Sequence, residues 1–333
     1  MAEETINKSY LEVKDLKVEY FSGKTIVHAV NGVTLKMEKG KTLGLVGETG
    51  AGKTTIAKSI LRILPDVGAR IVSGEITLDG TNLLEMKEHD MRKIRGNEIS
   101  MIFQDPMTAL NPVQRVGEQI AETVRLHSDL SKEECDERAK KMLKMVGITE
   151  DRFYEYPHQF SGGMKQRVVI AIALACNPQV LLADEPTTAL DVTIQAQVLE
   201  LIKGLQQKFN TSMLLITHDM GVVATVCDAV AIIYAGKIVE YGTKAQVFHH
   251  PSHPYTLGLF GAIPDMSEDD QWLHPIEGLP PDPTKEIVGC PFAPRCKYSK
   301  NVCRQHEIKT TLTPDGHECA CINLNEVLAK EGR

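Results

Sequence analysis

Residues Gly47-Glu48-Thr49-Gly50-Ala51-Gly52-Lys53-Thr54 set three glycines, a lysine and a hydroxyl in the pattern G-x-x-x-x-G-K-[ST]. This pattern binds phosphate. Its glycines let backbone N–H groups curl around an anion, and the N-terminus of a following helix adds partial positive charge. Lys53 reaches toward β- and γ-phosphates, and the Thr54 hydroxyl can ligate Mg²⁺. Thr55, the next residue, belongs to the same binding segment. A second constellation is Val180-Leu-Leu-Ala-Asp184-Glu185, an apolar run that ends in two carboxylates. Asp184 would hold Mg²⁺, directly or through water. Glu185 would orient or deprotonate an attacking water. Alone, the pair reads as two solvated acids at a strand end. Beside the phosphate loop it reads as hydrolysis of a nucleoside triphosphate.

The cysteines form a third constellation. Of eight, Cys135, Cys176 and Cys227 lie in apolar stretches and read as core residues. Cys290, Cys296, Cys303, Cys319 and Cys321 crowd near the C-terminus, spaced C-x5-C-x6-C and then, after fifteen residues, C-x-C. Thiolates are soft ligands that suit Zn²⁺ or an iron–sulfur cluster. Structural zinc usually shows closer C-x₂₋₄-C pairs, and wider loops fit the separated corners of a four-iron cube better. A tail this short cannot build a sufficient core alone. A bound group there is expected to be structural rather than redox-active.

The elements that must position these residues follow from periodicity. Residues Leu11 to Tyr20 and Ile26 to Met37 alternate, with turn residues at Ser22-Gly23 and Asn31-Gly32, and predict antiparallel strands. Lys41 to Val46 is a short apolar strand, and Ile56 to Leu64 has helical spacing that stops at Pro65. Ser131 to Val146 predicts an amphipathic helix opened by a Ser131–Glu134 capping box, with Cys135, Ala139, Met142, Leu143 and Val146 on one face. Val168 to Cys176 is an apolar helix. Val180–Ala183, Met213–Ile216 and Ala229–Ala235 are apolar at every position, as strands of a parallel sheet covered on both faces are. Residues 40–240 thus read as an α/β domain with a helical insert at about 105–170. Residues 262–289 mix Pro, Asp and Glu without periodicity and read as a linker.

Composition removes other classes. The formal charge is −7, a poor basis for binding nucleic acid through bulk electrostatics. The N-terminal MAEETINKSYLEV is no signal peptide. The longest apolar run, Val168 to Cys176, is far short of the about 20 residues of a membrane span. The expectation is a chain kept in the cytosol, where thiols stay reduced.

Further motifs carry a family resemblance. Ser161-Gly162-Gly163-Met164-Lys165-Gln166-Arg167 resembles the signature sequence of ATP-binding-cassette (ABC) proteins, with Met164 where that sequence usually has Gln. Its Ser and glycines make a second phosphate-binding helix terminus, which implies an ATP shared with a partner chain. Ile102-Phe103-Gln104-Asp105 resembles the Q-loop, with Gln104 contacting Mg²⁺ or water and the adjoining insert touching a membrane partner. Thr188-Ala-Leu-Asp191 resembles the D-loop, and Ile216-Thr217-His218-Asp219 the switch histidine, which implies that His218 stabilises γ-phosphate charge. Tyr20 resembles the aromatic that stacks on adenine. The implied fold is an α/β P-loop ABC cassette with a mixed-sheet core, an antiparallel β subdomain, a helical subdomain and a small cysteine-rich tail domain.

His250-Pro-Ser-His253-Pro254-Tyr255-Thr256 and Gly289-Cys290-Pro-Phe-Ala-Pro-Arg295-Cys296 resemble the dipeptide/oligopeptide-permease ATP-binding subunits. The resemblance divides the chain into a nucleotide-binding domain (1–255), a linker (256–289) and a cysteine-rich domain (290–333). It implies a [4Fe–4S] cluster in the tail, with Zn²⁺ the alternative. Cys290, Cys296, Cys303 and Cys321 are the expected ligands, Cys321 because His317-x-x-x-Cys321 matches the family's ending. It also implies a membrane-face ATPase using ATP and Mg²⁺. Its partners would be a second, paralogous ATPase subunit, two transmembrane permease subunits and an extracytoplasmic solute-binding protein. Import of nickel or another small solute is the near alternative. A soluble ABC ATPase of DNA repair or translation and an iron–sulfur sensor switched by ATP are the distant ones.

Overall fold

The structure is a computed structural model and describes residues 10–188, 190–262 and 275–331. The chain divides into two compact units. One comprises Met1–Leu11, Met37–Thr42 and Leu78–Thr217, the other Glu12–Lys36, Leu43–Thr77 and His218–Arg333. In chain order the strands are β1 (Leu11–Ser22), β2 (Thr25–Met37), β3 (Thr42–Val46), β4 (Ala69–Leu78), β5 (Thr81–Asn82), β6 (Ile99–Ile102), β7 (Val180–Asp184), β8 (Ser212–Thr217), β9 (Ala229–Tyr234), β10 (Lys237–Thr243), β11 (Thr311–Leu312) and β12 (Glu318–Cys319).

In the first unit β6, β7 and β8 pair in parallel, with Ile99 opposite Val180 and Val180 opposite Ser212. Every residue of the three strands is buried, which is why their sequences are apolar without alternation. The helical insert spans Pro106–Ala109, Val116–Leu126, Lys132–Met145 and Gly162–Leu174. The capping box is present: Ser131 Oγ accepts from Glu134 N (3.2 Å), and the Glu134 carboxylate accepts from Ser131 N (2.8 Å). Cys135, Ala139, Met142 and Leu143 are buried on one face of that helix.

In the second unit β1 and β2 pair as a hairpin turned at residues 23–24, with β4 on the other side of β1. β3 and β9 run parallel, β10 is antiparallel to β9, and the tail strands β12 and β11 continue from β10 with Glu240 opposite Cys319. The tail's other elements are the helices Val302–Gln305 and Leu324–Lys330. Residues 275–290 carry neither helix nor strand, and the expected linker residues 263–274 lie outside the described residues.

Three local expectations are corrected. Asn31-Gly32 is not a turn but lies within β2. Gly32 takes φ +84°, while Asn31 Nδ2 donates to His28 O and Ala235 O, so the pair makes a local irregularity that ties β2 to a neighbouring turn. That turn, Ala235-Gly236, has both residues at positive φ, as a two-residue hairpin loop requires. The helix expected to run to Leu64 spans Lys53–Ile60, and Arg62 beyond it is left-handed at φ +53°. Cys176 is half-buried just past the helix Gly162–Leu174, facing Thr123 O, whereas Cys135 and Cys227 are buried. Among the described residues no helix is long and apolar enough to cross a membrane.

Candidate functional site

β3 runs into the loop Gly47–Gly52, and the helix Lys53–Ile60 leaves it. Two glycines are dictated by geometry. A Cβ on Gly47 would lie 2.2 Å from Ile233 O, and one on Gly52 would lie 2.4 Å from Ala29 O, with φ already at +99°. Lys53 is buried, and its Nζ donates to Gly47 O (2.7 Å) and Glu48 O (3.0 Å). The ammonium thus folds back over its own loop. No acidic residue occupies the first turn of the helix, so the positive end of its dipole is unopposed there. Tyr20 hydrogen-bonds through its hydroxyl to Thr55 Oγ1 (3.2 Å), beside Thr54.

Sequence reasoning missed what holds Glu48. Arg295, from the cysteine-bearing tail, lays Nη1 on both carboxylate oxygens at 3.0 and 2.9 Å, and Tyr255 Oη accepts from Glu48 N at 3.0 Å. Tyr234, Tyr255 and Phe292 pack ring against ring around this point, with centroids 4.6 to 5.4 Å apart. Burial raises the pKa of the Tyr234 hydroxyl and pushes that of Tyr255 well above the usual phenol range. Both tail motifs were legible, but no local signal linked either to residue 48.

The acidic pair ends β7. Asp184 is 2% exposed. Glu185, the next residue, takes φ +45° and donates its N–H to Ile216 O at 2.9 Å. A left-handed conformation is uncommon for such a residue and is maintained only where the surroundings hold it. The Glu185 carboxylate accepts from Gln104 Nε2 (3.1 Å) and Thr188 Oγ1 (2.9 Å). Three sequence-selected segments therefore meet at one carboxylate. His218 is exposed directly after β8, and Asp219 caps the helix Met220–Val226 through Gly221 N and Val222 N.

Ser161 caps the helix Gly162–Leu174, its Oγ accepting from Met164 N at 3.4 Å. Gly163 is forced by packing, since a Cβ there would meet Ile194 Cγ2 at 2.7 Å; Gly162 has nothing within 4 Å. Gln166 is buried with Nε2 unpartnered. Asp191 precedes the helix Val192–Phe209 without a side-chain capping bond; Ala189, within the expected D-loop, lies outside the described residues.

In the tail, Cys290, Cys296, Cys303 and Cys321 line one small cavity with Phe292, Ala293 and Ile322, and Cys319 is not part of the lining. Backbone N–H groups of Phe292 and Ala293 face the Cys290 sulfur, that of Tyr298 faces Cys296, and that of Asn323 faces Cys321. Asn323 Nδ2 lies 3.3 Å from Cys303 Sγ. Burial pushes the thiols up, Cys296 to about 11 and Cys321 to about 12, and raises Cys290 as well. Among the described residues no three His, Cys, Asp or Glu side chains gather closely enough to hold a metal ion.

A phosphate loop between a buried parallel strand and a helix, with an acidic pair ending another buried parallel strand, defines a P-loop nucleotide hydrolase. Residues 30–188 match the family described as "ABC transporter", and residues 239–303 match "Oligopeptide/dipeptide transporter, C-terminal region". The chain is 47% identical to the probable peptide ABC transporter ATP-binding protein y4tR of Sinorhizobium fredii, covering 96% of each. It is 48% identical to the dipeptide transport ATP-binding protein DppD of Bacillus subtilis, covering 93% of each. A dimeric ATP-binding cassette solved with ADP and Pi superposes with a TM-score of 0.63 at 28% identity, covering 70% of this chain and 98% of that one. The chain belongs to the ATP-binding subunits of the ABC oligopeptide/dipeptide transporter family, and it is an ATPase with the ABC cassette fold.

Proposed function

We propose that this chain powers an importer of dipeptides or oligopeptides from the cytoplasmic face of the membrane. The observation that carries the reading is the match of residues 239–303 to the C-terminal region of oligopeptide/dipeptide transporters, in a chain whose relatives are peptide and dipeptide transport proteins over nearly their full length. We assign residues 1–255 to the nucleotide-binding domain, 256–289 to a linker and 290–333 to the cysteine-rich domain.

The loop Gly47–Thr55 takes the ATP phosphates, with Lys53 on the β- and γ-groups and Tyr20 against the adenine. Thr54, Gln104 and Asp184 serve Mg²⁺. Glu185 orients or deprotonates the attacking water, and the hydrogen bonds from Gln104 and Thr188 hold its carboxylate. His218 balances charge at the γ-phosphate. Ser161, Gly162 and Gly163 address the ATP of a partner cassette, a paralogous ATPase subunit, along a seam that includes Asp191. Closure of the two cassettes on ATP drives two transmembrane subunits, which take cargo from an external solute-binding protein.

Cys290, Cys296, Cys303 and Cys321 would hold a [4Fe–4S] cluster. In support, they share one cavity and carry N–H···S contacts of the kind that stabilise cluster thiolates. Bound there, the cluster would act as a cross-link in a segment with little apolar core.

The test pairs Glu185→Gln with uptake of labelled dipeptides, oligopeptides and nickel. The variant should bind ATP normally and hydrolyse it slower by orders of magnitude. Cells lacking the subunit should lose peptide uptake while nickel uptake continues. Near-normal hydrolysis, or loss of nickel uptake alone, refutes the assignment.

A further inference from the structure

We propose that Arg295 of the tail is a positioning residue for the phosphate-binding loop: by fixing Glu48 it sets the loop's affinity for MgATP. Arg295 immediately precedes Cys296 in the chain, yet its side chain reaches the second residue of the loop. Its side chain is 6% exposed against 27% for Glu48, and each guanidinium nitrogen has a partner. Nη1 meets both Glu48 oxygens and the Tyr234 hydroxyl, the latter at 3.1 Å. Nε donates to Glu277 O and Nη2 to Ile276 O, each at 3.0 Å. Exposed ion pairs contribute little, but a guanidinium enclosed and hydrogen-bonded through all three nitrogens has one geometry and imposes it on its partner.

Glu48 is in turn coupled to the phosphate-binding groups. Its carbonyl accepts from the Lys53 ammonium (3.0 Å) and from Ala51 N (3.2 Å), and its own N–H is held by Tyr255 Oη. Moving Glu48 therefore moves an acceptor of the phosphate lysine. Arg295 also offsets a negative charge inside a loop whose task is to hold a polyanion. Unpaired, the Glu48 carboxylate would oppose the ATP phosphates through a partly desolvated medium. Both effects weaken binding and leave the hydrolytic groups around Glu185 untouched. The inference rests on the assignment of ATP to the Gly47–Thr55 loop.

The test measures MgATP binding to the full chain by calorimetry for wild type, Lys53→Ala, Arg295→Met, Glu48→Gln and the double variant Arg295→Met/Glu48→Gln. Iron content and melting temperature are recorded alongside, with kcat for the assembled transporter. Lys53→Ala should abolish binding; if it binds normally, the loop assignment itself fails. Arg295→Met should raise Kd and the KM for ATP about tenfold, with kcat at saturating ATP changed less than twofold. The double variant should bind more tightly than Arg295→Met alone, because neutralising Glu48 removes the uncompensated charge. A merely structural role would make the two substitutions add. Binding by Arg295→Met within twofold of wild type, or an additive double variant, overturns the proposal. If Arg295→Met does not fold, Arg295→Lys decides: it keeps the charge, cannot hold Glu48 while also bonding the Ile276 and Glu277 carbonyls, and must still weaken MgATP binding. Wild-type affinity in that variant is equally fatal.

Discussion

Replacing Glu240 on β10 should strongly destabilise the second unit. Its carboxylate accepts from Ser252 N (2.8 Å), His253 N (2.9 Å) and His317 Nε2 (2.8 Å). His317 Nδ1 lies 2.7 Å from Asp315 Oδ1 on the opposite side, and neither the His317 nor the Glu240 side chain is exposed. An imidazole with a carboxylate on each nitrogen donates from both only when protonated. Burial opposes that charge, but the hydrogen bonds and charges of Glu240 and Asp315 outweigh it, and the His317 pKa is raised. A raised pKa means that the charged pair contributes its full stability below the unfolded value of about 6.5 and loses it as pH climbs through the folded value. Glu240→Gln keeps the shape but turns one acceptor into a donor. One of the two backbone N–H groups is then unsatisfied, and the buried charge pair is broken. Such a break costs about 3–5 kcal/mol. At about 2–4 °C per kcal/mol for a unit of this size, the melting temperature should fall by roughly 10 °C. Thermal unfolding of the full chain, followed by circular dichroism at pH 6 and pH 9, reads both the fall and its pH dependence. The gap between wild type and variant should be largest at pH 6 and narrow toward pH 9. A fall below about 2 °C at pH 6, or an equal gap at both pH values, would refute the reasoning.

Gly47→Ala should cost roughly a hundredfold in ATP turnover, because a Cβ 2.2 Å from Ile233 O forces the loop off its backbone neighbour; unchanged steady-state hydrolysis would contradict the packing. Gly162→Ala should leave the melting temperature unchanged, since nothing lies within 4 Å of its Cβ position, while lowering hydrolysis in the assembled complex. Normal hydrolysis would remove Gly162 from contact with a partner's ATP. Iron and acid-labile sulfide, measured after purification without oxygen, should drop in Cys321→Ser and stay at the wild-type level in Cys319→Ser; the reverse pattern, or zinc in place of iron, would overturn the ligand assignment.

What the sequence made legible was local. The phosphate loop, the acidic strand end, the Ser131 capping box and the uniformly buried strands each declare themselves within about ten residues, because each is a backbone requirement met by nearby side chains. Asn31-Gly32 misled because the same dipeptide serves a hairpin turn and an irregular strand equally well, and only the Ala235-Gly236 turn beside it decides. The contacts that fix the tail were illegible for the opposite reason. Arg295 and Glu48 are 247 residues apart, and Glu240 and His317 are 77 apart. A lone Arg between two cysteines, or a lone His before them, carries no periodic signal of its partner. Gln104, Glu185 and Thr188 were each chosen by motif, but their convergence on one carboxylate is tertiary.

The tail's attachment has the character its composition requires. Its buried apolar residues are few, chiefly Phe292, Ala293, Cys303, Cys319, Leu324 and Val327, too small a core to hold a segment of this length by burial alone. What supplements the core is directional: two β12 residues paired to β10, the Glu240–His317 bond, and the Arg295 Nη1 contact on both Glu48 oxygens. Directional contacts resist sliding as well as separation, since a hydrogen bond lost by an ångström is lost almost entirely. A segment docked by apolar area could shift without telling the phosphate loop. One docked through Arg295 cannot, because its own anchor is the loop's second residue. The contact between Arg295 and Glu48 thereby ties the tail's placement to the loop's conformation, and a displacement at the neighbouring Cys296 has a direct route to the phosphate-binding loop.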